Sequence, residues 1–208
     1  MTQLIFLRHG QCSSHTLSGD DRVIKDEENV LTPNGEKEVA HVAEFLCAKY
    51  SPVTIYASPI RRALETALIL SKTTNQPIIF DDRLREREFN FPEYLAISES
   101  IELQQQSHAN PRVAYSNGET VEKHRYRVQE WFDEFVTSIE DDRTYIIVTH
   151  GGTIDHLQAI LFNTSIDAMS NFFVCCDPAH YHCWTLMSLA GNRKVWRLDE
   201  VNAFRVRI

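Results

Sequence analysis

Apolar residues along the chain fall into short runs that alternate with stretches of helical spacing. Residues 3–7 (QLIFL) make a compact run of the kind a buried strand shows. Over 33–48, Val39, Val42, Ala43 and Leu46, followed by Tyr50, recur at helical spacing, with Thr32 placed to cap and Pro33 at the first helical position. Residues 53–57 (VTIYA) predict a strand. Ser58 is then placed to cap and Pro59 to start a helix with Ala63, Leu64, Ala67 and Leu68 as its stripe. Residues 78–80 (IIF) predict a short strand, and from Asp81 to Gly118 the pattern weakens to short helical pieces. Val121, Val128, Trp131, Phe132, Phe135 and Ile139 mark an amphipathic helix whose aromatic residues read as core. Residues 144–149 (TYIIVT) are a continuous apolar strand of parallel-sheet type, followed by His-Gly-Gly and a helix through Leu157, Ile160 and Leu161. Residues 182–189 and 194–199 predict an antiparallel hairpin turning at Gly191–Asn192.

Strands alternating with helices predict an α/β fold with a mostly parallel central sheet, helices on both faces, and a C-terminal antiparallel hairpin. The 208 residues, with no repeat or linker-like shift, predict a single domain spanning 1–208. Hydrophobic residues at 43% and charged residues at 24% fit an ordinary globular protein. The formal charge of −8 and isoelectric point near 5.6 argue against nucleic acid and anionic membranes as partners. No apolar run approaches the ~20 residues of a membrane helix, and the N-terminus does not resemble a signal peptide. Five cysteines without an export signal point to the reducing cytoplasm. A homodimer is left open.

In parallel α/β sheets, ligands bind at the carboxyl ends of the strands. Those ends here carry Arg8, His9 and Gly10; Ser58, Pro59, Arg61 and Arg62; and His150, Gly151 and Gly152. Arginine forks match phosphate oxygens, and the starts of two helices add free N–H groups. On an acidic protein this concentration of positive charge suggests a pocket for a small phosphorylated substrate. A neutral imidazole can attack phosphorus when its other nitrogen is held protonated by an acceptor. A carboxylic acid is then needed to protonate the departing alkoxide.

The segments at 4–11 (LIFLRHGQ), 58–67 (SPIRRALETA), 84–89 (LREREF), 117–120 (NGET) and 148–154 (VTHGGTI) resemble, in order, the motifs of the histidine phosphatase superfamily. This is its phosphoglycerate mutase-like branch, which also holds small broad-specificity phosphatases. Residues 31–39 (LTPNGEKEV) resemble the family's first helix, and 201–206 (VNAFRV) its closing segment. The resemblance implies that His9 is the nucleophile that becomes phosphohistidine. It implies that Arg8, Arg62 and His150 are catalytic groups clamping the phosphoryl oxygens, with Arg62 rather than Arg61 chosen because it directly precedes Ala63. Glu86 is implied as the general acid and base, and must carry a proton near neutral pH, a state that burial or a neighbouring anion favours. Gln11 and Gly151 are expected to contact phosphate. Glu119 and Ser58 are expected to act from behind these groups, Glu119 by orienting the basic cluster. No cofactor is expected: the arginines do the charge neutralisation that a metal does elsewhere.

Two departures from the family pattern stand out. After Arg8-His9-Gly10-Gln11, Cys12 replaces a hydroxyl, and His15 stands where a phosphate-contacting Asn is common. Either His15 takes over that hydrogen bond, which is the expectation, or the contact is lost. Residues 89–94 replace a segment with Gly, Trp and a second Gly near the non-phosphate end of the substrate in relatives, which leaves substrate identity open. The sequence lacks the R-H-G-x-R-x-P signature of the acid phosphatase and phytase branch. It also shows no tail of the mutase kind, so a hydrolase is preferred over a phosphoglycerate-type phosphomutase; a weakly active phosphoryl-binding regulatory module is the third reading. The cysteines and histidines of 175–183 (CCDPAHYHC) lack a C-x-x-C pair and read as buried core, with His180 or His182 at the pocket rim. Phe172 and Phe173 fit either core or pocket wall. The acidic stretch Asp20, Asp21 and Asp26–Glu28 reads as a solvated loop without a ligand.

Overall fold

The apolar runs assemble into one sheet. The computed structural model describes residues 1–50, 53–92, 94–114, 117–168, 176–189 and 193–203. Its strands are β1 (Gln3–Arg8), β2 (Val53–Ala57), β3 (Ile78–Phe80), β4 (Thr144–Thr149), β5 (Tyr181–Leu189) and β6 (Arg193–Ala203), in the order β3-β2-β4-β1-β5-β6. β1 to β4 run parallel, whereas β5 is antiparallel to both β1 and β6. The expected hairpin is therefore an antiparallel pair, although its turn at Gly191–Asn192 lies outside the described residues, as do Phe172, Phe173 and Cys175. β6 runs to Ala203, beyond the expected 199. Asp199 and Glu200 interrupt its apolar alternation, but backbone pairing with β5 carries it on, and Glu200 accepts a hydrogen bond from Tyr181 Oη at 2.8 Å.

The helices are α1 (Pro33–Lys49), α2 (Arg61–Thr74), α3 (Ile97–Ala109), α4 (Val121–Ser138) and α5 (Gly151–Leu161). Alternation along each strand splits the core in two. Ile5, Leu7, Ile55 and Ile146 pack with Val39 and Leu46 of α1 and Ala63 and Leu70 of α2. Leu4, Phe6 and Ile147 turn to the other face and pack with Val128, Trp131 and Phe135 of α4 and Leu157 of α5. Burying one side chain of this size contributes about 1.5–3 kcal/mol. The aromatic residues of α4 are core, as expected, with Trp131 and Phe135 stacked at 4.9 Å. Cys183 is also core, within 3.5 Å of Tyr50 Oη, and His182 is wholly buried in β5 opposite Phe6.

Two helical expectations need correction. Thr32 caps α1 through a hydrogen bond from the Gly35 N–H at 3.0 Å, as expected. Ser58 does not cap α2, however. That helix starts at Arg61 with Ile60 at the cap position, and the Ser58 hydroxyl instead accepts from the Ile60 N–H at 3.2 Å. The weak stretch after Asp81 contains a full helix, α3. Its buried residues are Ser100 and Ser107, so it packs through small polar groups and leaves no apolar stripe to detect. No helix among the described residues is long and apolar enough to cross a membrane.

Candidate active site

Parallel pairing fixes where the sequence motifs meet. β1 and β4 end level at Arg8 and Thr149, so His9 and His150 leave the sheet side by side. The His9 N–H donates to the Thr149 carbonyl at 3.0 Å, and the Ser58 N–H, just past β2, donates to the Val148 carbonyl at 3.0 Å. The two imidazole rings lie 5.1 Å apart between centroids. Gly10 is required by close approach: a Cβ there would stand 2.6 Å from Val39 Cγ2 and 2.9 Å from the Gly35 carbonyl of α1.

The chemistry of His9 is set by its neighbours. Nδ1 lies 2.9 Å from the Gly10 carbonyl, and Nε2 lies 3.2 Å from Arg62 Nε. A guanidinium only donates, so Nε2 accepts and Nδ1 carries the proton. Burial, then Arg62 and Arg8, hold the His9 pKa well below its ordinary value, so the ring is neutral at neutral pH. His150 is neutral for the same reasons: burial first, then Arg62, His9 and Arg8. Its Nε2 lies 2.8 Å from Ser58 Oγ, and its Nδ1 has no hydrogen-bond partner among the described residues.

Arg62 is buried in the first turn of α2, whereas Arg61 turns outward to Glu65 at 3.0 Å. Arg62 also pairs with Asp26 at 2.5 Å. That corrects the reading of the acidic loop as merely solvated: Asp26 lines the cavity with Arg62, drawn there by a cation that sequence spacing alone does not place. Arg8 donates through Nη1 to the Cys176 carbonyl at 2.7 Å and through Nη2 to His15 Nε2 at 3.2 Å. The His15 ring stacks on His9 at 5.6 Å and 8°. Burial, Arg8 and Arg62 pull its pKa down to about 4. Gln11 commits its amide oxygen to the Thr32 hydroxyl at 2.7 Å. Gly151 lies against Arg8: a Cβ there would make ordinary contact with the guanidinium at 3.5 Å.

Glu86 reaches the same place from the loop after β3. Its Oε2 accepts from the Gly152 N–H at 3.1 Å, in the first turn of α5, and its Oε1 accepts from the Arg87 N–H at 2.9 Å. The carbonyls of that loop are held from three sides. Thr149 Oγ1 donates to Leu84 O at 2.6 Å, Thr153 Oγ1 to Arg85 O at 2.9 Å, and Arg127 Nη1 to Arg83 O and Arg85 O at 2.8 and 3.0 Å. Glu119 grips Arg127 with both oxygens, at 3.0 and 2.7 Å. Glu119 is expected to orient the basic cluster; the partner it holds is Arg127 of α4, whose guanidinium ties down the loop that carries Glu86.

Two cavities meet at Glu86, Arg87 and Phe89. One, about 370 Å³, is also lined by Asp26, Arg62 and Phe91; the other, about 220 Å³, by Arg8, His108, His124 and Asp155. Arg87 is buried over the Phe89 ring, and its Nη1 has no hydrogen-bond partner among the described residues. Sequence reasoning missed Arg87, Asp26 and Arg127. Arg87 lay within a quoted motif, but Arg127 sits beside an apolar stripe like any solvated helix charge.

Residues 4–203 match the family model of the histidine phosphatase superfamily, branch 1. The chain is 32% identical, over 79% of its length and 76% of the relative's, to a glucosyl-3-phosphoglycerate phosphatase of Mycolicibacterium vanbaalenii. It is 26% identical, over 74% of its length and 66% of the relative's, to a metal-independent phosphoserine phosphatase of Arabidopsis thaliana. A solved mycobacterial glucosyl-3-phosphoglycerate phosphatase in complex with inorganic phosphate superposes with a TM-score of 0.76 at 25% identity, over 97% of each chain. With its motifs gathered at one sheet edge and the match running over nearly all of its length, the chain belongs to the histidine phosphatase superfamily, branch 1.

Proposed function

We propose that this phosphatase is a metal-independent phosphomonoesterase of small phosphorylated metabolites, working through phosphohistidine on His9 within one domain spanning the chain. The observation that carries the reading is the His9 tautomer: with Nδ1–H held by Gly10 O, the Nε2 lone pair faces the guanidinium of Arg62. Nε2 attacks phosphorus, the P–O bond to the leaving group breaks, and Glu86 gives its proton to the departing oxygen. Water then attacks the phosphohistidine, Glu86 takes a proton from it, and phosphate leaves with the Nε2 lone pair restored. Arg8, Arg62 and His150 Nδ1 bind the phosphoryl oxygens, where charge spreads in the transition state. Gln11, His15 and the Gly151 N–H complete the phosphate contacts, and Ser58 holds the His150 ring.

Arg87 supports a finer reading of the substrate. A buried guanidinium with an unpartnered nitrogen beside Glu86 suits a second anionic group on the leaving side, such as a carboxylate. The relatives named above act on phosphoserine and glucosyl-3-phosphoglycerate, which fits that chemistry. In EDTA, His9→Ala is expected to abolish hydrolysis of p-nitrophenyl phosphate, and quenched wild-type enzyme is expected to carry an acid-labile phosphoryl group. Turnover retained by His9→Ala overturns the mechanism. Across a substrate panel, phosphate esters bearing a carboxylate should show the higher kcat/KM, and Arg87→Ala should erase that preference; an unchanged ranking in the variant removes Arg87 from recognition.

A further inference from the structure

His9, Cys12 and His15 place one ligating atom each within 4.8 Å of one another. Among the described residues, no other three His, Cys, Asp or Glu side chains gather in this way. We infer that these three side chains form a binding site for a thiophilic divalent ion of the Zn²⁺ class, and that the ion shuts the phosphoryl pocket. The inhibitory half of this inference rests on the phosphatase reading above; the metal site itself does not.

Local backbone builds the trio. The 3₁₀ turn Ser13–Thr16 folds His15 back over Cys12, with the His15 N–H donating to the Cys12 carbonyl at 2.9 Å. Cys12 Sγ then lies 3.6 Å from His15 Nδ1 and 4.0 Å from its Nε2. Stacking of the two rings sets His9 on the other side. Two imidazoles and a thiol with a fourth position open are the donor set of an accessible zinc site, whereas Mg²⁺ and Ca²⁺ prefer oxygen. Metal–ligand bonds of about 2.0–2.3 Å in a tetrahedron put donors roughly 3.3–3.6 Å apart, so the cluster needs to contract by about 1 Å. His15, on a single turn, is the member able to move.

The opposing effect is also local. Arg8 Nη2 lies against His15 Nε2 and Arg62 Nε against His9 Nε2, both at 3.2 Å. The ion must displace these guanidinium groups and stand near two positive charges. Loss of the thiol proton on binding offsets one charge, and an anion in the open position offsets another. The same competition explains inhibition: the ion takes the Nε2 lone pair of His9 and the space of the arginines that would hold phosphate.

Co²⁺, which reports thiolate ligation by colour, tests the site directly. Added to EDTA-treated, desalted protein, it is expected to bind at one equivalent with a near-ultraviolet thiolate charge-transfer band and tetrahedral visible bands. Cys12→Ser should abolish the charge-transfer band, and Cys47→Ser, at a free thiol on α1, should keep it. His15→Ala, checked for folding by circular dichroism, should weaken Co²⁺ binding at least tenfold and guards against a Cys12 variant that fails to fold. Zn²⁺ should inhibit hydrolysis of p-nitrophenyl phosphate, EDTA should reverse it, and Cys12→Ser should need at least tenfold more Zn²⁺. Absence of the thiolate band, or equal Zn²⁺ sensitivity in Cys12→Ser, overturns the inference. The spectra decide the metal site even in a protein that does not turn over, so its failure is separable from failure of the phosphohistidine mechanism.

Discussion

A single hydrogen atom at Gly152 decides where Glu86 can stand. The Glu86 carboxylate is seated on the Gly152 N–H, and a Cβ at this position would lie 2.5 Å from its Oε1. The clash falls on the far end of a flexible side chain, so the backbone has no reason to move and Glu86 turns away. Gly152→Ala is therefore expected to keep the thermal midpoint within a few degrees while lowering kcat by about 10²-fold, the scale of a catalytic group misplaced by about 1 Å. Steady-state kinetics on an aryl phosphate with calorimetry checks both halves. The loss should shrink for a leaving group acidic enough to depart without a proton; a uniform loss across leaving groups counts against the role given to Glu86. His9 has the same character at this scale. Its tautomer is dictated by the Gly10 carbonyl, inside the Arg-His-Gly motif, and by the Arg62 guanidinium, which the motif alone does not reveal.

Among elements, the loop of residues 83–86 is the part the fold works hardest to hold. It follows the short strand β3, yet its carbonyls are tied to β4, α5 and α4 through Thr149, Thr153 and Arg127. Glu119 fixes the Arg127 fork just before α4 begins. Glu119→Gln is expected to cost about 1–2 kcal/mol of stability, since the pair is only partly exposed, and to lower kcat more than it raises KM. Arg127→Lys keeps the charge but loses the two-pronged geometry and should resemble Glu119→Gln. Chemical denaturation and kinetics on both variants test this, and an effect confined to stability would detach the clamp from catalysis. This network marks the boundary of what the sequence made legible. β1 and β4 could be read because a strand buried on both faces shows as an unbroken apolar run, and α1 and α4 because each buries an apolar face at helical spacing. The strand-end residues could be read because parallel sheets deliver ligand contacts there. Arg127, Asp26 and α3 could not, because a charge or serine that finds its partner only after folding has no periodic signature.

The whole molecule carries a pH dependence from buried histidines besides His9 and His150. His124 and His156, 4.5 Å apart between α4 and α5, are buried and their pKa values lie well below the usual imidazole value. Desolvation is the main cause for both; each ring then disfavours a second charge through its neighbours, His156 acting on His124 and Arg125 on His156. His182, enclosed in β5, is pulled down to about 4, again by burial first and then by His180. In the unfolded chain all three take up a proton near pH 6.5, and in the folded chain they do so only at lower pH. The unfolded state therefore binds more protons below pH 6.5, and stability falls as pH drops from there toward the folded values. Each such group contributes a slope of roughly 1.4 kcal/mol per pH unit, so the three together approach about 4, and His9, His15 and His150, depressed in the same direction, steepen the fall further. Urea midpoints should stay level from pH 8 to 6.5 and then drop steeply by pH 5, before most carboxylates titrate. His182→Leu, which replaces a buried ring of similar size without a titrating group, should remove one group's share, roughly 1.4 kcal/mol per pH unit, from that fall. A midpoint that holds steady down to pH 5 would mean that these buried rings find compensating partners when protonated.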